Sequence, residues 1–260
     1  MTDATQGPLH PDKAGVRGGS PEADARTIEI RDRLAAVRTR IAAACDAAGR
    51  SAEPPQLIVV TKFHPAADIR RLAGLGITDV GENRDQEASE KAGKLSDLDL
   101  RWHFVGQLQS NKAKSVVRYA HAIHSVDRAQ LATALGRAMA TERERTGRGP
   151  LECFIQVSLD EESAGHRGGA SASQVLPLAE QLSGSGDLRL AGVMAVAPLG
   201  SDPDRAFEKL AGISARLRAE YPAATAISAG MSQDLEAAIR AGATHLRIGS
   251  DILGSRPAVR

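Results

Sequence analysis

Lys62 follows Leu57-Ile58-Val59-Val60-Thr61 and precedes Phe63-His64-Pro65. The aliphatic run, mostly β-branched, reads as a buried strand, and His64-Pro65 starts a helix with proline at its first position. A lysine at the carboxyl end of such a strand either snorkels to water or belongs to a ligand site, because α/β proteins keep their sites at strand ends. Two later stretches offer it companions. Ser228-Ala229-Gly230-Met231-Ser232 and Gly249-Ser250 are small, donor-rich and placed just after predicted strands. Gly230 permits close backbone approach, and Ser232 can offer its hydroxyl and amide at a helix start, so the pair together suits a phosphate. Asp234, Glu236 and Asp251 lie nearby and would repel a phosphate unless they point away.

Strand parity adds a cation. In Thr244-His245-Leu246-Arg247-Ile248, Leu246 and Ile248 face surrounding helices, so His245 and Arg247 point inward. A buried guanidinium needs a carboxylate or a ligand atom as partner. The same parity groups Lys62 with Val60 and Ile58; if that face is inward, apolar walls depress the pKa of Lys62 and let it form an imine with an aldehyde. Aldehyde, phosphate and an arginine-facing ring nitrogen together describe pyridoxal 5'-phosphate. Sugar phosphates that form Schiff bases need the same lysine and phosphate site without an inward Arg247.

Other motifs are weaker. Gly106-Gln107-Leu108-Gln109-Ser110-Asn111-Lys112 lacks the second glycine of a P-loop. His121 and His124, three apart on a strand, face opposite ways and share no metal. His103 lines a pocket or is a hydrogen-bonded core side chain, and Lys112, Lys114 and Arg118 form a solvated basic face.

Eight strands must position these residues. Their ends, near Lys62, Gly81, Val105, Ser125, Val157, Met194, Ile227 and Ile248, recur at βαβ spacing. The fold expected is α/β, a single (β/α)8 TIM barrel over residues 26–260, with an open doubly wound sheet as the alternative. An extra helix precedes it, with Ile30, Leu34, Val37, Ile41 and Cys45 in one stripe. Asn83 with Gln86, Asp127, and Asp202-Pro203 are expected helix starts, and a flexible loop carries Gly165, Gly168 and Gly169.

The chain has 260 residues, 42% of them hydrophobic, which suits a globular protein. A formal charge of +1 and 3% aromatic content give neither a field nor stacking platforms for nucleic acid. Two cysteines, Cys45 and Cys153, read as buried apolar groups in a reducing compartment. Residues 1–25, rich in glycine and proline, are expected to be a disordered tail without a signal peptide. No apolar run reaches the ~18 residues of a membrane span, so a cytoplasmic location is expected.

Val60-Thr61-Lys62, Gly81-Glu82-Asn83, His103 to Lys112, Gly230-Met231-Ser232 with Asp234 to Ile239, and Arg247-Ile248-Gly249-Ser250 resemble the signature blocks of the pyridoxal phosphate homeostasis protein family. Members of that family are similar to the amino-terminal barrel of alanine racemase. The resemblance implies that Lys62 carries the cofactor as a Schiff base. It implies that Ser232, Gly249 and Ser250, with the Met231 amide, hold the phosphate, that Arg247 faces the ring nitrogen, and that Asn83 lies near the cofactor. Departures fall at Ser250, where threonine is frequent and the hydroxyl is retained, and at Asp251, where a small neutral residue is frequent; the latter bears on cofactor affinity. Racemases of this type use a tyrosine from a separate domain as second base, whereas Tyr119 and Tyr221 here are expected near the carboxyl ends of the third and sixth barrel helices, opposite the ligand. The expected protein is a monomeric carrier that buffers pyridoxal phosphate or delivers it to apo-enzymes, with no catalytic residue and no metal; a pyridoxal-dependent racemase is the alternative.

Overall fold

The apolar stripe of the leading helix is what buries it. Helix α1, Ala25–Ala47, sets Ile30, Leu34, Val37, Ile41 and Cys45 against the barrel and is capped by Asp24, whose side chain accepts the Thr27 amide. Each large aliphatic side chain so buried contributes about 1.5–3 kcal/mol. The structure, a computed structural model, describes residues 24–160 and 168–255. The tail expected over 1–25 lies outside the described residues except for Asp24 and Ala25, which begin this helix; Gly165 also lies outside them.

Eight parallel strands close into a barrel: β1 (Gln56–Val60), β2 (Asp79–Glu82), β3 (Arg101–Phe104), β4 (Ala120–Val126), β5 (Leu151–Gln156), β6 (Leu188–Met194), β7 (Ala226–Ser228) and β8 (His245–Ile248). The closed (β/α)8 architecture replaces the open-sheet alternative. Around it lie α2 (Ala66–Gly74), α3 (Asp85–Lys94), α4 (Ala113–Val116), α5 (Ala129–Thr146), α6 (Val175–Ser183), α7 (Pro203–Glu220), α8 (Leu235–Arg240) and α9 (Ser250–Leu253). Closure pairs β1 with β8, Ile58 opposite Arg247 and Val59 opposite Ile248. Helix α1 packs on α2, α8 and α9, across that seam.

Side-chain alternation sorts two cores. Val59, Trp102, Phe104, Leu246 and Ile248 face the helices, while Ala122, Phe154, Ala191 and Met194 fill part of the barrel interior. Arg247 and His103 are buried inside, as parity requires, and both cysteines are buried thiols, with burial pushing Cys153 up.

Several expected helix starts move. Asp202 caps α7 with Pro203 at its first turn, as expected, but Pro65 is the N-cap of α2 and not its first residue. Arg84 and Arg128 occupy the N-cap positions of α3 and α5 in place of Asn83 and Asp127, and neither caps by its side chain. Helix α8 starts at Leu235, so Ser232 sits in the preceding turn. The expected third barrel helix is a short 3-10 turn, Ser110–Lys112, plus the single turn of α4; Lys112, Lys114 and Arg118 are exposed. In β4 the register slips: Trp102 pairs with Ala120 but His103 with Ala122. The extra residue, His121, breaks the alternation, and the rings of His121 and His124 both approach His103, at 5.8 and 5.2 Å, correcting the expectation that they face apart.

Candidate functional site at the barrel mouth

Lys62 is carried by a segment held from below. Beyond the end of β1, the Thr61 amide donates to the Gly81 carbonyl (2.9 Å) and the Thr61 hydroxyl to Glu82 Oε1 (2.7 Å). The buried Lys91 ammonium donates to the Thr61 carbonyl (2.9 Å), to Glu82 Oε1 (2.7 Å) and to Glu87 Oε1 (2.7 Å). Glu87 accepts the Phe63 amide as well (2.6 Å). Phe63 has φ +69°, a left-handed conformation that costs a non-glycine residue about 1–2 kcal/mol and persists only where surroundings enforce it. Lys62 therefore stands between two clamped neighbours. Its own side chain is exposed, so the apolar walls expected around it are not there; the buried lysine of this end of the barrel is Lys91. Burial pushes the Glu82 carboxyl up, against the opposing pull of Lys91. The Glu87–Lys91 spacing was the available signal for this clamp, since residues four apart on a helix meet.

The two serine loops converge. Ser232 Oγ and Ser250 Oγ lie 3.3 Å apart. A Cβ on Gly249 would come within 2.9 Å of the Val60 carbonyl oxygen, so the α9 loop packs directly on the end of β1, next to the lysine segment. Gly230 has φ +93°, and a Cβ there would lie 2.7 Å from both Ala238 Cβ and Leu246 Cδ2. The Met231 amide, expected to face a phosphate, instead donates to Asp234 Oδ1 (2.6 Å), because Asp234 closes the turn before α8. Asn83 is half-buried, and its Oδ1 is buried with no hydrogen-bond partner among the described residues. Its backbone packs on Gly106, where a Cβ would meet the Asn83 carbonyl oxygen at 2.2 Å.

Arg40, on α1, answers the carboxylates. Its guanidinium grips Glu236 with Nε (2.5 Å) and Nη2 (2.8 Å), and Nη1 reaches the Ser232 carbonyl (2.6 Å) and Asp251 Oδ2 (3.3 Å). The hydrogen bond from Arg40 holds the Glu236 carboxyl below its ordinary range, and the same bond raises Arg40. Glu236 and Asp251 thus point at a guanidinium, and Asp234 at an amide. Nothing in the one-dimensional pattern tied Arg40 to these loops, because the contact spans most of the chain.

Beneath the mouth, Arg247 Nη1 donates to Ser228 Oγ (2.6 Å) and Nη2 to the Ala195 carbonyl (2.9 Å). Burial draws the guanidinium down to about 10, still protonated at neutral pH. Its partners are a hydroxyl and a carbonyl, where a carboxylate or ligand was expected. The backbone of Tyr119 precedes β4 and Tyr221 ends α7, both at the opposite end, but the Tyr119 hydroxyl reaches back to Asp85 at the start of α3 (3.2 Å). Among the described residues, no group of three or more histidines, cysteines and carboxylates is arranged to hold a metal ion, and no helix is long and apolar enough to cross a membrane.

A single closed barrel with a lysine after β1, and with serine loops after β7 and β8 at the same end, defines a class, and the alanine racemase N-terminal domain model matches residues 33–257. Solved racemases share the fold: that of Streptomyces coelicolor superposes with a TM-score of 0.66 at 16% identity, over 87% of this chain and 58% of that one. Within that class, the chain belongs to the pyridoxal phosphate homeostasis protein family. It is 45% identical over 223 residues to the Corynebacterium glutamicum protein of that name, covering 85% of this chain and 99% of the relative. To the Mycobacterium tuberculosis protein it is 43% identical over 245 residues, covering 89% and 94%. The structure of PipY from Synechococcus elongatus with pyridoxal phosphate bound matches with a TM-score of 0.73 at 35% identity, over 86% of this chain and all of that one.

Proposed function

We propose that this protein binds pyridoxal 5'-phosphate at the barrel mouth and acts in its intracellular homeostasis, buffering the cofactor or delivering it to apo-enzymes. The observation that carries the reading is the meeting of the Ser232 and Ser250 hydroxyls beside the end of β1, two residues from Lys62. When bound, the cofactor supplies an aldehyde carbon to which an amine can bond reversibly. Lys62 is that amine, on a segment held in place by Lys91 and Glu87. The two hydroxyls and the backbone of Gly249 receive the phosphate, and Arg40 turns Glu236 and Asp251 away from it. Arg247 would offer a donor to the ring nitrogen and so keep it unprotonated, and Asn83, whose Oδ1 has no partner among the described residues, would lie near the cofactor. Met231 contributes its amide only if Asp234 releases it.

Such a site binds better than it reacts. An arginine at the ring nitrogen weakens the electron sink, and neither tyrosine is placed to serve as a second base: Tyr221 lies at the far end and the Tyr119 hydroxyl is engaged by Asp85. We therefore assign the protein a carrier role in the cytoplasm, working as a monomer. Protein loaded with pyridoxal phosphate should show a visible absorbance band that is lost in Lys62→Ala, and an unchanged band in that variant refutes the site. The same loaded protein, incubated with free amino acids in deuterated buffer, should exchange their α-hydrogens only at trace rates; sustained turnover would make it a racemase.

A further inference from the structure

Arg247 is a buried cation with no carboxylate in hydrogen-bond contact among the described residues, yet it does not stand alone. Its Nη1 donates to Ser228 Oγ (2.6 Å); Ser228 Oγ lies 2.9 Å from His124 Nδ1. His124 Nε2 lies 3.0 Å from His103 Nδ1, and His103 Nε2 lies 2.8 Å from Asp79 Oδ1. We propose that Ser228, His124 and His103 form a one-way hydrogen-bond chain through the barrel interior that aims Arg247 at the ring nitrogen, with the Asp79 carboxylate anchoring its far end. The proposal rests on the pyridoxal phosphate reading for what Arg247 faces, but not for the chain itself.

The direction follows from the two ends. A guanidinium has donors only and an ionised carboxylate acceptors only. Asp79 must accept a hydrogen bond from His103 Nε2–H. If His103 is neutral, its Nδ1 is bare and accepts from His124 Nε2–H. A neutral His124 then has a bare Nδ1, which accepts a hydrogen bond from the Ser228 hydroxyl, leaving the Ser228 oxygen to accept from Arg247. Every polar atom along the path is satisfied in this arrangement, and reversing any bond leaves Asp79 facing a bare nitrogen or demands an imidazolium.

Neutrality is enforced by the surroundings. Burial lowers His103, and lowers His124 further, with neighbouring His103 and Arg247 opposing a second cation. The groups facing the pair are His121, His245, Glu152 and Arg247, together with Arg101, which binds Asp79 from outside at 2.6 and 2.9 Å. Burial alone would raise Asp79, but the hydrogen bonds from His103 and Arg101 outweigh it and keep the carboxyl well below its usual range. Phe154 stacks on the His124 ring, centroids 4.1 Å apart and planes 11° from parallel, which fixes the plane in which His124 hands on the bond. Ser228, His124 and His103 touch no reacting atom; they are positioning residues.

Side-chain 15N spectra of the labelled full-length protein at neutral pH test the chain without any cofactor. His103 and His124 should both be neutral with the proton on Nε2; an imidazolium or an Nδ1–H tautomer at either position overturns the proposal. Ser228→Ala then tests the aim. The folded variant should lose the single His124 tautomer, bind pyridoxal phosphate about ten-fold more weakly, and show a displaced visible band, while Ser228→Thr, which keeps the hydroxyl, restores all three. Unchanged affinity and band position in folded Ser228→Ala refute the positioning role. Wild-type protein with no visible band would refute the pyridoxal phosphate reading and leave the chain to be judged by the 15N spectra.

Discussion

At the scale of single residues, glycines decide how closely the serine loops pack on their neighbours. Gly230 combines φ +93° with contacts that leave no room for a Cβ against Ala238 and Leu246. Gly230→Ala should lower stability by about 1–3 kcal/mol and weaken cofactor binding, because the turn presenting Ser232 must shift; urea denaturation with a parallel cofactor titration measures both. A variant as stable as the wild type would show that the turn yields without strain. Much of this scale was legible in advance. Arg247 and His245 faced inward because strand parity is rigid, and the serine loops met because barrel topology leaves them no other neighbours. Lys62 was misjudged in one respect: alternation holds only within the ladder, which ends at Val60, and beyond it the exposed lysine follows the loop. His121 escaped parity for the same reason, since a bulge resets the count.

At the scale of elements, α1 is more than a cover for the seam. Through Arg40 it binds both loops that bear the serines, joining α1 to α8 and α9. Removing the guanidinium would leave Glu236 and Asp251 unpaired beside the proposed phosphate position. Arg40→Met should therefore weaken pyridoxal phosphate binding about three- to ten-fold, an effect reduced by solvent screening of a partly exposed cluster, and more so at high salt. Pyridoxal, which lacks the phosphate, should bind equally well to both forms; fluorescence titration of each ligand makes the comparison, and equal losses for the two would reject the charge account. The stripe of α1 was readable from its period, but its polar role was not, because a surface arginine on an amphipathic helix has no marker for a partner so distant in the chain. The helix starts were misplaced by one to three residues for a related reason: Asn83 and Ser232 have the side chains of N-caps but lie in turns whose polar groups are directed elsewhere.

At the scale of the whole molecule, the barrel holds an unusual store of buried imidazole. Burial lowers His64, His103, His124 and His245 below the ordinary 6.5, His245 to about 4. Unfolded, the same histidines take up protons below about pH 6.5; folded, they resist, so the unfolded state binds more protons and stability falls as pH falls from about 7 toward 4. Each histidine contributes up to about 1.4 kcal/mol per pH unit within that window. The urea midpoint should thus drop markedly between about pH 7 and about pH 5, and a flat or rising midpoint would mean these side chains are charged in the native state. The eight-strand architecture itself was legible because eight apolar runs at βαβ spacing have few other ways to bury both faces. Closure of that architecture has a temporal meaning. The lysine follows β1 and the two serines follow β7 and β8, so the β1–β8 pairing, with α1 packed across it, brings the two parts of the proposed site together. During synthesis the amine emerges early and its cradle late. At the proposed site, cofactor capture would therefore wait for the barrel to close.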